Sequence, residues 1–132
     1  MKTLDEIIER ATPLLREHEG IAAAYVLGSA ASGALRADSD IDIALLPVHG
    51  RRLSLQDRLD LSARLENELG RRVDLGEINA GNPIYASEAI LKGRRFFARD
   101  SEETAATETR LLGNYLSLRE DRKEVEEAYR VA

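Results

Sequence analysis

Leu4, Ile7, Ile8, Ala11, Leu14 and Leu15 recur at helical spacing behind the capping box Thr3-x-x-Glu6. This predicts an N-terminal helix that ends at Gly20. Pro13 lies inside the stripe and is expected to kink the helix or divide it in two. The pattern then changes. Residues 21–27, IAAAYVL, are apolar without a break and read as a buried strand. Residues 30–35 are small and fit a short helix, and residues 41–46 read as a second strand. Ser54 and Asp57 cap a further helix with its apolar side at Leu55, Leu59, Leu65 and Leu69, stopped by Gly70. Residues 73–78 form a third predicted strand, 83–91 a helix closed by Gly93, and 96–98 a short strand. Ser101 opens the last helix, where Glu102 and Glu103 suit the positive end of its dipole.

Alternating helices and strands predict an α/β (α+β) layered arrangement. A length of 132 residues suits one domain with one real core, so 1–132 is read as a single domain. Its one candidate boundary lies near Asp100, before a C-terminal helix over 101–130.

Composition narrows the chemistry. There is no cysteine, which excludes disulfides, thiol catalysis and thiolate-bound zinc. His18 and His49 stand near element ends and read as solvated residues, too few for a histidine metal centre. A net charge of -5 and 5% aromatic residues argue against direct nucleic-acid binding by a basic patch or by base stacking. No stretch has signal-peptide or membrane-spanning character, so a soluble cytoplasmic protein with no membrane partner is expected.

One feature is hard to reconcile with ordinary packing. Asp40 and Asp42 stand two residues apart at an apolar strand and so project from the same face. Close carboxylates repel, and burying either without a partner is costly. A solvated edge strand, a pair neutralised by arginine and a divalent-cation site each account for them. Gly28-Ser29 ends the preceding strand at a predicted helix start, where backbone N–H groups can meet phosphate, although ordinary strand-to-helix turns look the same. Asp74, between Val73 and Leu75, would add a third carboxylate. Glu77, three residues on, faces the other way in a regular strand. A phosphate-binding turn with three carboxylates suits metal-assisted transfer of a nucleotide's phosphoryl group.

Gly28-Ser29, ten residues, then Asp40-x-Asp42 resembles the G-S-x10-D-x-D signature of the DNA polymerase beta-like nucleotidyltransferases. The string GSAASGALRADSDID and the later DLGEINAGNPIYASEAILKGRRFFARD are similar to the minimal nucleotidyltransferases (MNT) of that superfamily. The resemblance covers most of the chain, least clearly the final helix. It implies a small mixed sheet flanked by helices, ATP as donor, and Mg²⁺ (two ions) held by Asp40, Asp42 and Asp74. It implies triphosphate binding at Gly28 and Ser29, and a loop shaped by Arg36, Asp38 and Ser39, with Arg36 and Ser39 as nucleotide contacts. Many members carry arginine where this chain has Ala30 and Ser32, which leaves fewer cations near the turn.

Many minimal members resemble the antitoxins of HEPN/MNT toxin–antitoxin pairs, which move AMP from ATP to a tyrosine of a HEPN ribonuclease toxin. The resemblance therefore implies a protein adenylyltransferase in a hetero-oligomer with such a toxin. Two alternatives stay open: inhibitory binding of the toxin without chemistry, and nucleotidyl transfer to a small-molecule acceptor. Leu111, Tyr115, Leu118, Val125 and Tyr129 on the last helix form either a packing stripe or a partner seam. Lys92, Arg94 and Arg95 form a basic cluster that reads as a solvated turn or an acceptor contact.

Overall fold

A computed structural model of the chain describes residues 3–31 and 39–131. Its elements run α1 (Leu4–Glu17), β1 (Ile21–Val26), α2 (Gly28–Ala31), β2 (Ile41–Pro47), α3 (Leu55–Leu69), β3 (Val73–Glu77), α4 (Pro83–Lys92), β4 (Arg94–Ala98) and α5 (Ser101–Val131). The strands form one mixed sheet in the order β3-β2-β1-β4. β2 and β3 are parallel, and β1 is antiparallel to both β2 and β4.

The two middle strands are covered on both faces, which explains their unbroken apolar sequences. On one face, Ile7, Ala11 and Leu15 of α1 and Leu61, Leu65 and Leu69 of α3 pack on Val26, Ile41, Ile43 and Leu45. On the other face, Ala86 and Ala89 of α4 and Leu111 of α5 pack on Ala23, Tyr25, Ala44 and Leu46. The alternation is that of a pleated strand, offset once by an irregularity between Ile21 and Ala23.

Local signals account for most boundaries. The Thr3 hydroxyl accepts from the Glu6 N–H at 3.3 Å, and the Ser54 hydroxyl from the Asp57 N–H at 3.0 Å. α1 runs unbroken through Pro13 and ends at His18, two residues before the expected stop. Pro13 and Glu9, whose carbonyl loses its bond, are both exposed, so water can replace the missing donor. The apolar side of α3 differs from the expected one. Leu55 and Leu59 are exposed, and burial runs through Leu61, Leu65 and Leu69 instead. The first turn of α3 meets the end of α1 through Asp57, 3.8 Å from His18, while Leu55 and Leu59 point to solvent.

Two polar devices tie the layers together. Arg99, just after β4, donates to the carbonyls of Ile21, Arg16 and His18 at 3.0 Å each and of Leu15 at 3.4 Å. Three of those acceptors are carbonyls at the end of α1, where the helix runs short of its own donors; Leu15 and His18 also accept the His18 and Ile21 N–H groups. Tyr25 on β1 donates its hydroxyl to Glu108 on α5 at 2.8 Å, and Arg95 reaches the same carboxylate at 3.0 Å. Burial, then the Glu108 charge, pushes the Tyr25 phenol well above its ordinary range.

α4 lies on the sheet through one tight contact. Gly76 on β3 sits beneath Tyr85, and a Cβ at position 76 would collide with the tyrosine hydroxyl. Gly76→Ala should therefore cost about 1–3 kcal/mol through overpacking. A thermal melt should show a lower Tm for Gly76→Ala, and partial recovery when Tyr85→Phe removes the nearest atom. An unchanged Tm in the single variant would contradict the contact.

Candidate active site

β2 and β3 run in step, with Ile41 beside Val73, Asp42 beside Asp74 and Ile43 beside Leu75. The flanking apolar residues belong to the core under α1 and α3. Asp42 and Asp74 must then project together on the opposite face, at the open starts of two parallel strands. Both are exposed. Asp40 lies one residue before β2, exposed, and its charge acts on Asp42. Ser39, next to it, is half-buried.

The turn after β1 reaches the same place. Leu27 donates its N–H to the Asp42 carbonyl at 2.9 Å, closing the end of β1 against the start of β2. Gly28 follows with φ +63°, a left-handed conformation that favours glycine. A Cβ at Gly28 would stand 3.5 Å from Asp42 Oδ2. Ser29 continues α2 from Gly28. The two halves of the sequence motif, ten residues apart, thus meet at the Asp42 carboxylate. Arg36 lies outside the described residues, as do Ser32 and Asp38.

The Asp42 carboxyl is pushed above the usual carboxylate range. Partial desolvation is the largest cause, followed by the charge of Asp74, a hydrogen bond with it, and the charge of Asp40. The side chain still meets water, so screening keeps the stability consequence small. The ion pairs of Arg64, Lys92, Arg94 and Arg95 are made with Glu17, Glu88, Asp5 and Glu108, not with Asp40, Asp42 or Asp74.

Glu77 serves elsewhere. Its Oε1 accepts from the Leu53 N–H at 3.0 Å and its Oε2 from Asn79 Nδ2 at 3.4 Å, which holds the loop before α3. Asp74, not Glu77, is the β3 carboxylate beside Asp42. Among the described residues, no three His, Asp or Glu side chains converge closely enough to hold a metal ion. The adjacent Asp42–Asp74 pair nevertheless has the donor chemistry for Mg²⁺. Such ions are commonly held by one or two carboxylates, with substrate phosphates and water completing the shell.

The sequence does not single out Tyr85 or Glu88, and Lys92 reads there only as part of a basic cluster. Tyr85 is half-buried over Gly76, and burial, then the charges of Asp42 and Glu88, raise its phenol above the ordinary range. The isolated Gly76 inside a strand was the available signal, since glycine there often marks a close approach. Glu88 and Lys92 of α4 share a hollow with Gly28 and Asp42.

Comparison with known proteins places these features in a family. Residues 9–102 match the family model "Polymerase beta, Nucleotidyltransferase". A candidate protein adenylyltransferase of Methanocaldococcus jannaschii is 36% identical over 87 residues, which span 66% of this chain and 90% of that protein. The fold matches a chain of a toxin–antitoxin crystal structure with AMP-PNP at TM-score 0.74 and 22% identity, covering 96% of this chain and 97% of that one. It also matches a chain of the tri-AMPylated Shewanella oneidensis HEPN toxin in complex with MNT antitoxin, at TM-score 0.73 and 19% identity, covering 96% and 98%. The expected mixed sheet flanked by helices is the observed fold.

The raised Asp42 carboxyl has a measurable consequence. The fold favours its protonated form, so ionisation costs stability as pH rises from the unfolded-chain pKa, about 3.9, through the higher folded value. Asp42→Asn removes that cost. In metal-free buffer the variant should melt above the wild type at pH 7 by about 1–4 °C, the scale of a cross-strand charge pair. The gain should vanish on acidification through the carboxylate range. A difference in Tm independent of pH would contradict this origin.

Proposed function

The chain belongs to the polymerase beta nucleotidyltransferase family, and we propose that it is an antitoxin that transfers AMP from ATP to a tyrosine hydroxyl of a partner HEPN ribonuclease toxin. The observation that carries this reading is the Asp42–Asp74 pair set directly against the Gly28 turn. The similarity to a candidate protein adenylyltransferase supports nucleotidyl transfer to a protein. The fold shared with chains of toxin–antitoxin complexes, one containing AMP-PNP and one a tri-AMPylated HEPN toxin, supports the donor and the partner.

In this reading the backbone N–H groups at Gly28 and Ser29 receive the triphosphate, with Arg36 and Ser39 as further contacts. Gly28 keeps that approach open because no side chain stands between the turn and Asp42. Asp42 and Asp74, with Asp40 close by, would hold the Mg²⁺, which the resemblance gives as two ions. When bound, the metal neutralises charge developing on the phosphates and polarises the attacking hydroxyl. Asp74, on the edge strand and exposed, takes the proton of the incoming tyrosine hydroxyl in this reading. The oxygen–phosphorus bond to AMP forms as the bond to pyrophosphate breaks. Position and charge supply most of the rate.

α5 offers the protein contact. Leu111 is buried against the domain, but residues 116–129 are exposed throughout, including Leu116, Leu118, Val125 and Tyr129. Their apolar surface is covered when the toxin binds. No helix is long and apolar enough to cross a membrane among the described residues.

The decisive measurement is the intact mass of a co-expressed HEPN toxin after incubation with the protein and Mg-ATP. The mass should rise by whole AMP units, and Asp42→Asn should slow the transfer by at least ~10²-fold. A toxin silenced without any mass change would show inhibitory binding instead. Deleting residues 119–132 should weaken co-purification with the toxin while nucleotide binding persists. Unchanged co-purification would remove α5 from the interface.

A further inference from the structure

Lys92, Arg94 and Arg95 are adjacent in sequence but part company in the fold. Arg94 Nη2 lies 3.9 Å from Asp5 on α1, and Arg95 is held by Glu108 on α5. Lys92 stays beside the candidate site. Its ammonium is 3.8 Å from Glu88 one turn earlier on α4, and both side chains are largely exposed. Such a pair contributes little stability and is easily exchanged.

The position of Lys92 follows from Gly93. A Cβ there would collide with the Ala89 carbonyl oxygen and lie 2.6 Å from Leu27 Cδ2 and 3.1 Å from the Val26 carbonyl oxygen. The end of α4 is therefore pressed onto the end of β1. This brings Glu88 and Lys92 to the rim of a hollow of about 420 Å³, whose remaining walls are Leu27, Gly28, Asp42 and Gly93. A hollow of that size suits a small-molecule ligand.

Asp42, with Asp74 beside it, supplies negative charge on the sheet side, and the α4 side carries Glu88 together with Lys92, the one cation among the described lining residues. The turn itself contributes no cation at position 30, because Ala30 is buried in the core under α1 and α3. Resting on the nucleotidyl-transfer reading above, we propose that Lys92 binds the terminal phosphates of the ATP donor, with Glu88 holding its ammonium over the hollow until the nucleotide arrives. A lysine ammonium is a compact charge well suited to phosphate oxygens. The triphosphate, more highly charged than one carboxylate, displaces Glu88.

The test compares Mg-ATP with AMP, which lacks the terminal phosphates. Affinities of the full chain for each are measured by calorimetry for wild type, Lys92→Ala and Lys92→Arg, with KM and kcat for ATP in the transfer assay. Lys92→Ala should weaken ATP about tenfold and leave AMP unchanged. KM should rise while kcat holds, and Lys92→Arg should restore most of the loss. Melting curves check the fold, and Lys92→Gln, which keeps the stem, replaces the alanine variant if its Tm falls. Equal ATP affinity in wild type and Lys92→Ala, or an equal loss for ATP and AMP, overturns the role of Lys92 and leaves nucleotidyl transfer standing. A wild type that neither binds Mg-ATP nor transfers AMP overturns both.

Discussion

Two strands lying parallel and in step hold Asp42 beside Asp74, and the candidate site depends on that register. A slip of one residue would turn both carboxylates into the core. Ile41 and Ile43 on β2, with Val73 and Leu75 on β3, prevent it by packing under α1 and α3. α3 also grips the edge strand directly. Ser62 donates its hydroxyl to the Val73 carbonyl at 3.0 Å, and Glu66 accepts the Val73 N–H at 3.3 Å. Both bonds act on the residue immediately before Asp74. The capped, buried helix thus serves as a clamp on the strand that carries the third carboxylate.

The same register creates an electrostatic problem at the open end of the sheet. Asp42 is raised by partial desolvation and by its acidic neighbours Asp74 and Asp40. A fold optimised only for stability would place an apolar or basic residue at one of these positions. In the proposed function, bound Mg²⁺ would relieve the repulsion between these carboxylates. The Gly28 turn and the end of α4 close around this centre from two sides. Both approaches rely on glycine, Gly28 through its left-handed backbone and Gly93 through close contact.

α5 divides by what it touches. Its first turns are anchored by Leu111 and by Glu108, which joins Tyr25 and Arg95. Its second half leaves every side chain from 116 to 129 exposed. A helix of this length that lacks a covered apolar face over its second half gains little from its own domain. The spacing of Leu111, Tyr115, Leu118, Val125 and Tyr129 is helical in sequence, broken only at Arg122, yet full burial along it stops at Leu111.

Much of the fold was legible in the sequence. Periodicity, the Thr3 and Ser54 caps and the glycine stops set the elements nearly where they occur, because those signals act within a few residues. The spacing of Gly28-Ser29 from Asp40-x-Asp42 pointed to a phosphate turn beside carboxylates, and an aspartate between Val73 and Leu75 marked the third. Other features required the tertiary structure. The sequence could not show that Leu55 and Leu59 would stay exposed, that Glu77 would be consumed by the Leu53 loop, or that Lys92 would separate from Arg94 and Arg95. Each depends on which layer ends where, and on contacts between residues tens of positions apart. Local patterns determine which segments form helices and strands. Which side chains then share a cavity is decided by the packing of α4 and β3 on the sheet, where a single missing Cβ at Gly76 or Gly93 sets the distance.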